Sequence, residues 1–221
     1  MPDLIAGLKE LPGYGVAAVI VIVLYAIQTE IRFGQRARSG RSRASDRSST
    51  RVLSACAVVP VIGFALAMKA NASFGTFLPG WFRGAVLPGG PVIEWVGVAF
   101  GGCGIALRLL AVLTLREHYT RTLLIQKEQA IERGGPYRWV RHPGYLGSLL
   151  VLNGIALASA NWIVLFASLI ATLSAYAYRI KVEDEMLVAA LGDPYAEYRR
   201  EVRALVPSLR AATLGKCPTE T

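Results

Sequence analysis

The sequence predicts an all-α, polytopic membrane protein with about five transmembrane helices, the last two forming a hairpin, and a helical C-terminal region in the cytoplasm. Of its 221 residues, 53% are hydrophobic and only 18% are charged, whereas an ordinary soluble domain has about 25% charged residues. This composition excludes a disordered chain, which requires low hydrophobicity. It also argues against a soluble nucleic-acid binder despite the net charge of +9, because the basic residues flank apolar stretches.

Four apolar stretches carry the predicted helices, since roughly 20 helical residues cross a bilayer core of about 30 Å. They are residues 14–33, 52–70, 91–115 and 146–178. The fourth is too long for one helix and contains the polar break Ser159-Ala160-Asn161-Trp162. It therefore predicts two helices, 146–159 and 162–178. The first of these is only ~21 Å long at 1.5 Å per residue, so we expect it to tilt or to pack against other helices.

Arginine and lysine are distributed asymmetrically around these stretches. Residues 32–51 hold seven arginines, residues 116–141 hold six basic residues, and the tail from Arg179 holds seven. The opposite side has only Lys9, Lys69 and Arg83. The positive-inside rule then places the N-terminus outside and the C-terminus in the cytoplasm, in agreement with five crossings. The loop 32–51 is expected to act as a solvated anchor or to bind anionic lipid head groups.

The chain divides into two parts. Residues 1–115 form helices 1–3 with the basic loop, and residues 116–221 form the functional region with the hairpin and a cytoplasmic C-terminal helix. The polar residues capable of forming a site lie in 116–147 and 176–207. No HExxH, CxxC or histidine cluster is present, so no metal site is predicted.

The first polar stretch leads into the hairpin. Pro143 suits the first position of a helix and restricts His142 to an extended backbone. His142 and Arg141 are therefore expected just outside a helix N-terminus, whose exposed amides and partial positive charge suit a carboxylate. Tyr137 and Tyr145 offer aromatic faces for a base or a cation, although tyrosines at a membrane boundary also form interfacial belts.

The second polar stretch, residues 176–191, predicts a helix that leaves the membrane and is ended by Gly192 and Pro194. Arg179 and Glu183 share one face of it. They form an i, i+4 ion pair worth only ~0.2–0.5 kcal/mol, in the less favourable order, or they bind a ligand. Within the third helix, Arg108 lies two turns from the inner end, where charge is costly. It either snorkels to the boundary or lines the same cytoplasm-facing pocket.

At these two stretches the sequence resembles the isoprenylcysteine carboxyl methyltransferase family of integral membrane enzymes. The resemblance covers roughly residues 115–208, and the first three helices are similar only in being apolar. The family's usual acidic pair is two glutamates, whereas this chain has Glu183-Asp184. The matching residues are Gly135-Pro136-Tyr137, Arg141-His142-Pro143-Gly144-Tyr145-Leu146-Gly147, Arg179, Glu183-Asp184, Leu187, Leu191-Gly192, Tyr195, Tyr198 and Val206-Pro207.

The resemblance implies S-adenosylmethionine as cofactor and transfer of its methyl group to a lipophilic acceptor. It implies that Arg179 is catalytic and binds the acceptor carboxylate, with Arg141 as a second substrate-binding residue. The cofactor-binding residues implied by matching position are Tyr137, His142, Pro143, Gly144, Tyr145 and Glu183, together with the upstream segment Gln129, Ala130, Ile131 and Glu132.

The predicted function is therefore a membrane-embedded carboxyl methyltransferase acting on an isoprenylcysteine-like substrate. An anionic carboxylate needs no general base, and Arg179 would hold it with a bidentate fork. The alternatives are a phospholipid or small-molecule N- or S-methyltransferase of the same fold, a sterol-type reductase, and a non-catalytic scaffold or transporter. Arginine outnumbers lysine 19 to 5, which favours a bacterial plasma membrane. Prenylated proteins are not expected there, so a small isoprenoid or thioether acid is also a candidate acceptor.

Overall fold

The computed structural model of the chain describes residues 13–36, 49–71, 78–115 and 131–208. Within these ranges every regular element is helical, and the only β-type pairing is an isolated bridge between Val86 and Asn161. The all-α class predicted from the sequence is therefore confirmed for the described residues. The α-helices are α1 Gly13–Arg36, α2 Ser49–Asn71, α3 Gly80–Arg83, α4 Pro91–Leu115, α5 Pro143–Ala158, α6 Trp162–Leu191 and α7 Asp193–Glu201, with a 3-10 helix at Gly135–Arg138.

The predicted hairpin is confirmed by α5 and α6, which are joined at the polar break. The Asn161 side chain caps α6 by accepting hydrogen bonds from the backbone nitrogens of Ile163 at 3.0 Å and Val164 at 3.2 Å. The preceding residue, Ala160, has a φ of 49°, the left-handed conformation that reverses the chain. Helix α5 begins at Pro143, as the proline predicts, and so starts before the apolar stretch that begins at residue 146. Helix α6 joins the predicted segments 162–178 and 176–191 into one helix that ends at Leu191.

Helix α5 lies at the centre of the bundle, in contact with α1, α2, α4 and α6. Most of its residues are buried, including Val151, Leu152 and Ile155. The sequence left open whether this short helix tilts or packs against other helices, and the burial of α5 favours packing. The surrounding helices therefore hold the residues at both ends of α5 in place.

Glycines bring α4 and α5 into backbone contact. A Cβ atom at Gly104 would come within 2.5 Å of the Gly147 carbonyl oxygen and 2.7 Å of the Val151 nitrogen. Farther along the pair, a Cβ atom at Gly97 would come within 2.6 Å of the Gly154 carbonyl oxygen, and one at Gly154 within 2.6 Å of the Gly101 nitrogen. Small residues that allow such approach are typical of helix pairs in membranes, where the hydrophobic effect between helices is absent.

We expect Gly104→Ala to lower the free energy of unfolding by about 1–3 kcal/mol, because the added methyl group has backbone on two sides and cannot be accommodated by a rotamer change. Gly102→Ala is the matched control, since a Cβ atom at Gly102 meets nothing within 4 Å. That control should be neutral or stabilising by up to about 1 kcal/mol. Unfolding in mixed detergent micelles measures both variants, and equal stability of the two would contradict the contact.

Two helices, α4 and α6, are long and apolar enough to cross a membrane. Shorter apolar helical segments are Gly13–Gln28, Val52–Met68 and Pro143–Ala158. The membrane character predicted from the composition agrees with these helices. The count of five crossings and the orientation of the termini stay predictions.

Candidate active site

The two polar stretches predicted to form a site meet where α5 begins and α6 passes beyond its apolar part, residues 162–178. His142 immediately precedes α5, and Pro143 occupies the first helical position as expected. The His142 carbonyl oxygen accepts hydrogen bonds from the backbone nitrogens of Tyr145 at 3.0 Å and Leu146 at 3.1 Å. These two hydrogen bonds fix the backbone where it enters α5. The His142 side chain is directed toward α6.

Asp184 is the centre of the first cluster of this site. Its carboxylate accepts hydrogen bonds from Arg141 Nε at 3.2 Å and Arg141 Nη2 at 2.7 Å. His142 Nε2 lies 3.0 Å from Asp184 Oδ1, and the Tyr195 hydroxyl donates to the same oxygen at 2.7 Å. A single buried side chain therefore joins the entry to α5, the C-terminal part of α6 and α7.

These partners decide the charge of Asp184. Burial raises the pKa of its carboxyl group, but the hydrogen bonds from His142 and Arg141 outweigh that effect and hold the pKa well below its usual range. Burial and the charge of Asp184 raise the pKa of the Tyr195 hydroxyl. Asp184 is therefore an anion and Tyr195 a neutral donor across the physiological pH range.

The second cluster joins Tyr145 of α5 to Arg179 and Glu183 of α6. Arg179 Nε donates to the Tyr145 hydroxyl at 3.1 Å, and that hydroxyl donates to Glu183 Oε2. Arg179 Nε also lies 3.7 Å from Glu183 Oε2, so the i, i+4 ion pair considered from the sequence does form. The Arg179 side chain is 6% exposed and that of Glu183 is 24% exposed, so Glu183 is the member of the cluster more accessible to a polar ligand.

Aromatic rings connect the two clusters. The His142 ring stacks on the Tyr145 ring with 5.4 Å between centroids and 12° between planes. On its other side, Tyr145 packs against Tyr176 at 5.4 Å. The segment from Arg141 to Tyr145 therefore folds against the segment from Arg179 to Asp184.

Arg141 is placed differently from its expected role. It is 8% exposed, and besides Asp184 it donates through Nη1 to the carbonyl oxygens of Arg199, at 3.1 Å, and Val202. Its backbone nitrogen donates to the Arg203 carbonyl at 2.9 Å. These contacts fix the end of α7 to the entry of α5, so the geometry favours a structural role for Arg141 over the predicted substrate-binding one.

The upstream residues lie beside α7. The Tyr137 carbonyl oxygen accepts a hydrogen bond from the Tyr198 hydroxyl at 2.7 Å, and Ile131 packs against the cluster of Tyr195, Tyr198 and Val202. Glu132 Oε1 accepts from the Gly134 backbone nitrogen at 2.6 Å. Gln129 and Ala130 lie outside the described residues. The cofactor-binding roles of Gln129, Ala130, Ile131 and Glu132 stay predictions.

Sequence reasoning left the role of Asp184 open. A helix turns about 100° per residue, so Asp184 projects in a different direction from Glu183 and meets Arg141 and His142, while Glu183 meets Tyr145. The available signal was that one stretch has two adjacent acidic residues and the other has an arginine beside a histidine, Arg141 and His142.

Residues 98–189 match the model of the isoprenylcysteine carboxyl methyltransferase (ICMT) family. The chain is similar to this family over that region. The matched region runs from within α4 to near the end of α6, and it includes Tyr145, Arg179 and Glu183 as well as Asp184 and its partners Arg141 and His142. The resemblance inferred from the sequence is thus confirmed.

Curated relatives agree with the similarity to the ICMT family. The chain is 27% identical over 125 residues to a protein-S-isoprenylcysteine O-methyltransferase of Tribolium castaneum, covering 54% of this chain and 44% of that protein. It is 29% identical over 117 residues to a probable protein-S-isoprenylcysteine O-methyltransferase of Oryza sativa subsp. indica, covering 52% and 61%. Over 71 residues it is 41% identical to a methanethiol S-methyltransferase of Mycobacterium tuberculosis, covering 32% and 28%. The chain spans about half the length of the isoprenylcysteine relatives it matches.

Proposed function

We propose that the chain is a membrane methyltransferase that transfers a methyl group from S-adenosylmethionine to a lipophilic acceptor, most favourably a carboxylate. The observation that carries this proposal is the cluster of Tyr145, Arg179 and Glu183, which lies beside the stacked His142 ring within the region matched by the ICMT family. A cation, an anion and two aromatic rings at the end of an apolar hairpin suit both a polar cofactor and a lipophilic substrate.

The chemistry of these side chains fits S-adenosylmethionine, which carries a sulfonium, an ammonium, a carboxylate, ribose hydroxyls and adenine. The partly exposed Glu183 carboxylate suits the ammonium group or the ribose. The rings of His142 and Tyr145 suit adenine or the sulfonium cation. The N-terminus of α5, with Pro143 and Gly144 in its first turn, suits the cofactor carboxylate because the helix dipole and the Gly144 amide favour an anion.

When bound, the cofactor supplies a methyl group on a positively charged sulfur, which an oxygen or sulfur nucleophile attacks in line. The task left to the protein is orientation and exclusion of water. Orientation of this kind contributes ~7–11 kcal/mol. Arg179 would hold an acceptor carboxylate through its guanidinium, and the packing of Tyr145 against Tyr176 would shield the reacting atoms.

A thiol acceptor is the second candidate, because the methanethiol S-methyltransferase shares 41% identity with this chain over 71 residues. A thiol must lose its proton before or during transfer, whereas a carboxylate is already ionised at neutral pH. The Arg179 charge would favour a thiolate as well as a carboxylate, but it would repel a protonated amine. Carboxylates and thiols therefore rank above phospholipid amines.

Transfer of radiolabelled methyl groups in proteoliposomes tests the proposal. The panel comprises an S-prenylated cysteine acid, its uncharged carboxamide, a long-chain thiol and an aminophospholipid. A carboxyl methyltransferase labels the acid in a base-labile ester and leaves the carboxamide unlabelled. Label in a base-stable thioether identifies the thiol reaction instead, and absence of label from every acceptor would contradict the proposal.

We expect Glu183→Gln to weaken S-adenosylmethionine binding by about 10–100-fold, since a charge-assisted hydrogen bond contributes roughly 1.5–3 kcal/mol. Glu185→Gln is the matched control, because it removes the same charge from an exposed position two residues along the same helix. Calorimetric titration of both variants in detergent measures the effect. Unchanged affinity in Glu183→Gln would remove Glu183 from the cofactor site.

A further inference from the structure

We infer that Arg108, on α4, is a positioning residue for the first turn of α5, the segment that contributes Gly144 and Tyr145 to the proposed cofactor site. The inference rests on the proposed function only for its effect on cofactor binding. Its structural part, that Arg108 holds this turn in place, is testable without any cofactor.

The location of Arg108 requires an explanation. It is 4% exposed, in an apolar helix that is long enough to cross a membrane. Burying a cation at such a depth is expensive unless its donors are satisfied. Snorkelling to the boundary, one of the two roles considered from the sequence, is wrong because the side chain turns into the bundle rather than toward water.

The donors of Arg108 converge on α5. Nη1 donates to the Gly144 carbonyl oxygen at 3.4 Å and to the Ser148 hydroxyl oxygen. The Ser148 hydroxyl in turn donates to the same Gly144 carbonyl at 2.9 Å. Nε donates to Gln28 Oε1 of α1 at 3.2 Å, and the guanidinium lies 4.9 Å from the centre of the Tyr25 ring. Arg108 therefore ties α1 and α4 to the start of α5.

The geometry around Arg108 leaves it little freedom. A Cβ atom at Gly147 would come within 2.7 Å of Arg108 Cγ, so the stem of the arginine lies directly on the α5 backbone. The glycine contact between Gly104 and Gly147 brings the two helices close enough for this arrangement. Helix α4 therefore holds the first turn of α5 in place.

Arg108 is connected to Tyr145 by two routes. One is the backbone, because Gly144 immediately precedes Tyr145. The other passes through Ser148, which also shares a hydrogen bond with Tyr176, and the Tyr176 ring packs against Tyr145. Both routes lead to Tyr145, the residue that bonds Arg179 and Glu183.

Replacement of Arg108 by leucine should leave the fold intact, since an apolar side chain in place of a buried charge is often neutral or stabilising. We expect this variant to exchange the amide hydrogens of residues 144–148 faster than the wild type in the cofactor-free state. We also expect it to bind S-adenosylmethionine about tenfold more weakly, which is of the size found for residues that act through their neighbours. Arg108→Lys, which keeps one donor, should restore part of both losses.

Asn153→Leu is the matched control. Asn153 is a polar residue of α5. It bonds Thr172 at 3.1 Å and Ser168 at 2.9 Å, both on α6, away from the first turn of α5. The experiment combines hydrogen exchange followed by mass spectrometry with calorimetric titration of S-adenosylmethionine on full-length protein in detergent. Asn153→Leu is expected to change neither the exchange of 144–148 nor the affinity by more than about twofold.

Unchanged exchange of residues 144–148 in Arg108→Leu would overturn the inference, whatever the cofactor affinity. An equal effect from Asn153→Leu would also overturn it, because both changes would then act through general loosening of the bundle. If Arg108→Leu does not fold, the exchange measured for Arg108→Lys decides the question in the same way. Failure of the wild type to bind S-adenosylmethionine would contradict the proposed function, while the exchange result would still decide the role of Arg108.

Discussion

Arg179→Lys is expected to reduce methyl transfer by about 100-fold or more while S-adenosylmethionine affinity changes by less than about threefold. The reason is geometric. A guanidinium presents a planar fork that matches a carboxylate with two parallel hydrogen bonds, and an ammonium on a flexible stem does not reproduce it. In the protein, the hydrogen bond from Arg179 Nε to the Tyr145 hydroxyl at 3.1 Å holds this fork in place. Lysine lacks that donor.

Single-turnover transfer from radiolabelled cofactor, run beside calorimetric titration, separates the two effects for Arg179→Lys. Lys181→Gln is the control, because Lys181 is an exposed cation two residues farther along α6. The control should retain both transfer and affinity. Parallel loss of affinity and transfer in Arg179→Lys would instead make Arg179 a residue of the cofactor site or of the fold.

Asp184→Asn is expected to lower the free energy of unfolding by about 3–5 kcal/mol, the usual result of removing one partner from a buried ion pair. The amide keeps the shape of the carboxyl group but leaves the Arg141 charge buried without its anion and presents an NH2 group where an acceptor is needed. Because Asp184 also bonds His142 and Tyr195, the loss should include the docking of α7.

Unfolding in mixed detergent micelles measures the effect of Asp184→Asn. Glu197→Gln, an exposed change on α7, should stay within about 0.5 kcal/mol of the wild type. Asp184→Glu restores the charge and the residue type usual in the ICMT family, so it should be less damaging than Asp184→Asn. A loss below about 1 kcal/mol in Asp184→Asn would contradict the central role given to this carboxylate.

The parts of the fold that the sequence predicts are those set by local chemistry. Pro143 predicts the start of α5, although His142 before it has φ −121° and ψ 63° and is not extended as the proline predicted. Asn161 in a polar break predicts the turn into α6, where it caps the helix. Gly192 predicts the end of α6 at Leu191, but polarity did not show that residues 162–178 and 176–191 form one uninterrupted helix.

The parts that the sequence does not predict are contacts between helices. Spacing places Arg179 and Glu183 on one face, but it does not show that Tyr145 lies between them. Nor does it show that Arg108 turns toward Gly144 and Ser148 rather than toward the boundary. Both depend on which helix lies opposite, and in an apolar bundle many pairings satisfy the same hydrophobic pattern. The buried charges of Arg108 and Asp184 also oppose that pattern, so only their partners explain them.

The central claim is that the start of α5 and the C-terminal part of α6, from Tyr176 onward, together hold the methyl donor. Ultraviolet crosslinking of S-adenosylmethionine labelled in its methyl group, followed by mass spectrometry of the peptides, tests it most directly. Label should appear in peptides containing residues 137–145 or 176–184 and should be abolished by excess S-adenosylhomocysteine. Label confined to other peptides and abolished by the same competitor would place the donor elsewhere and contradict the account.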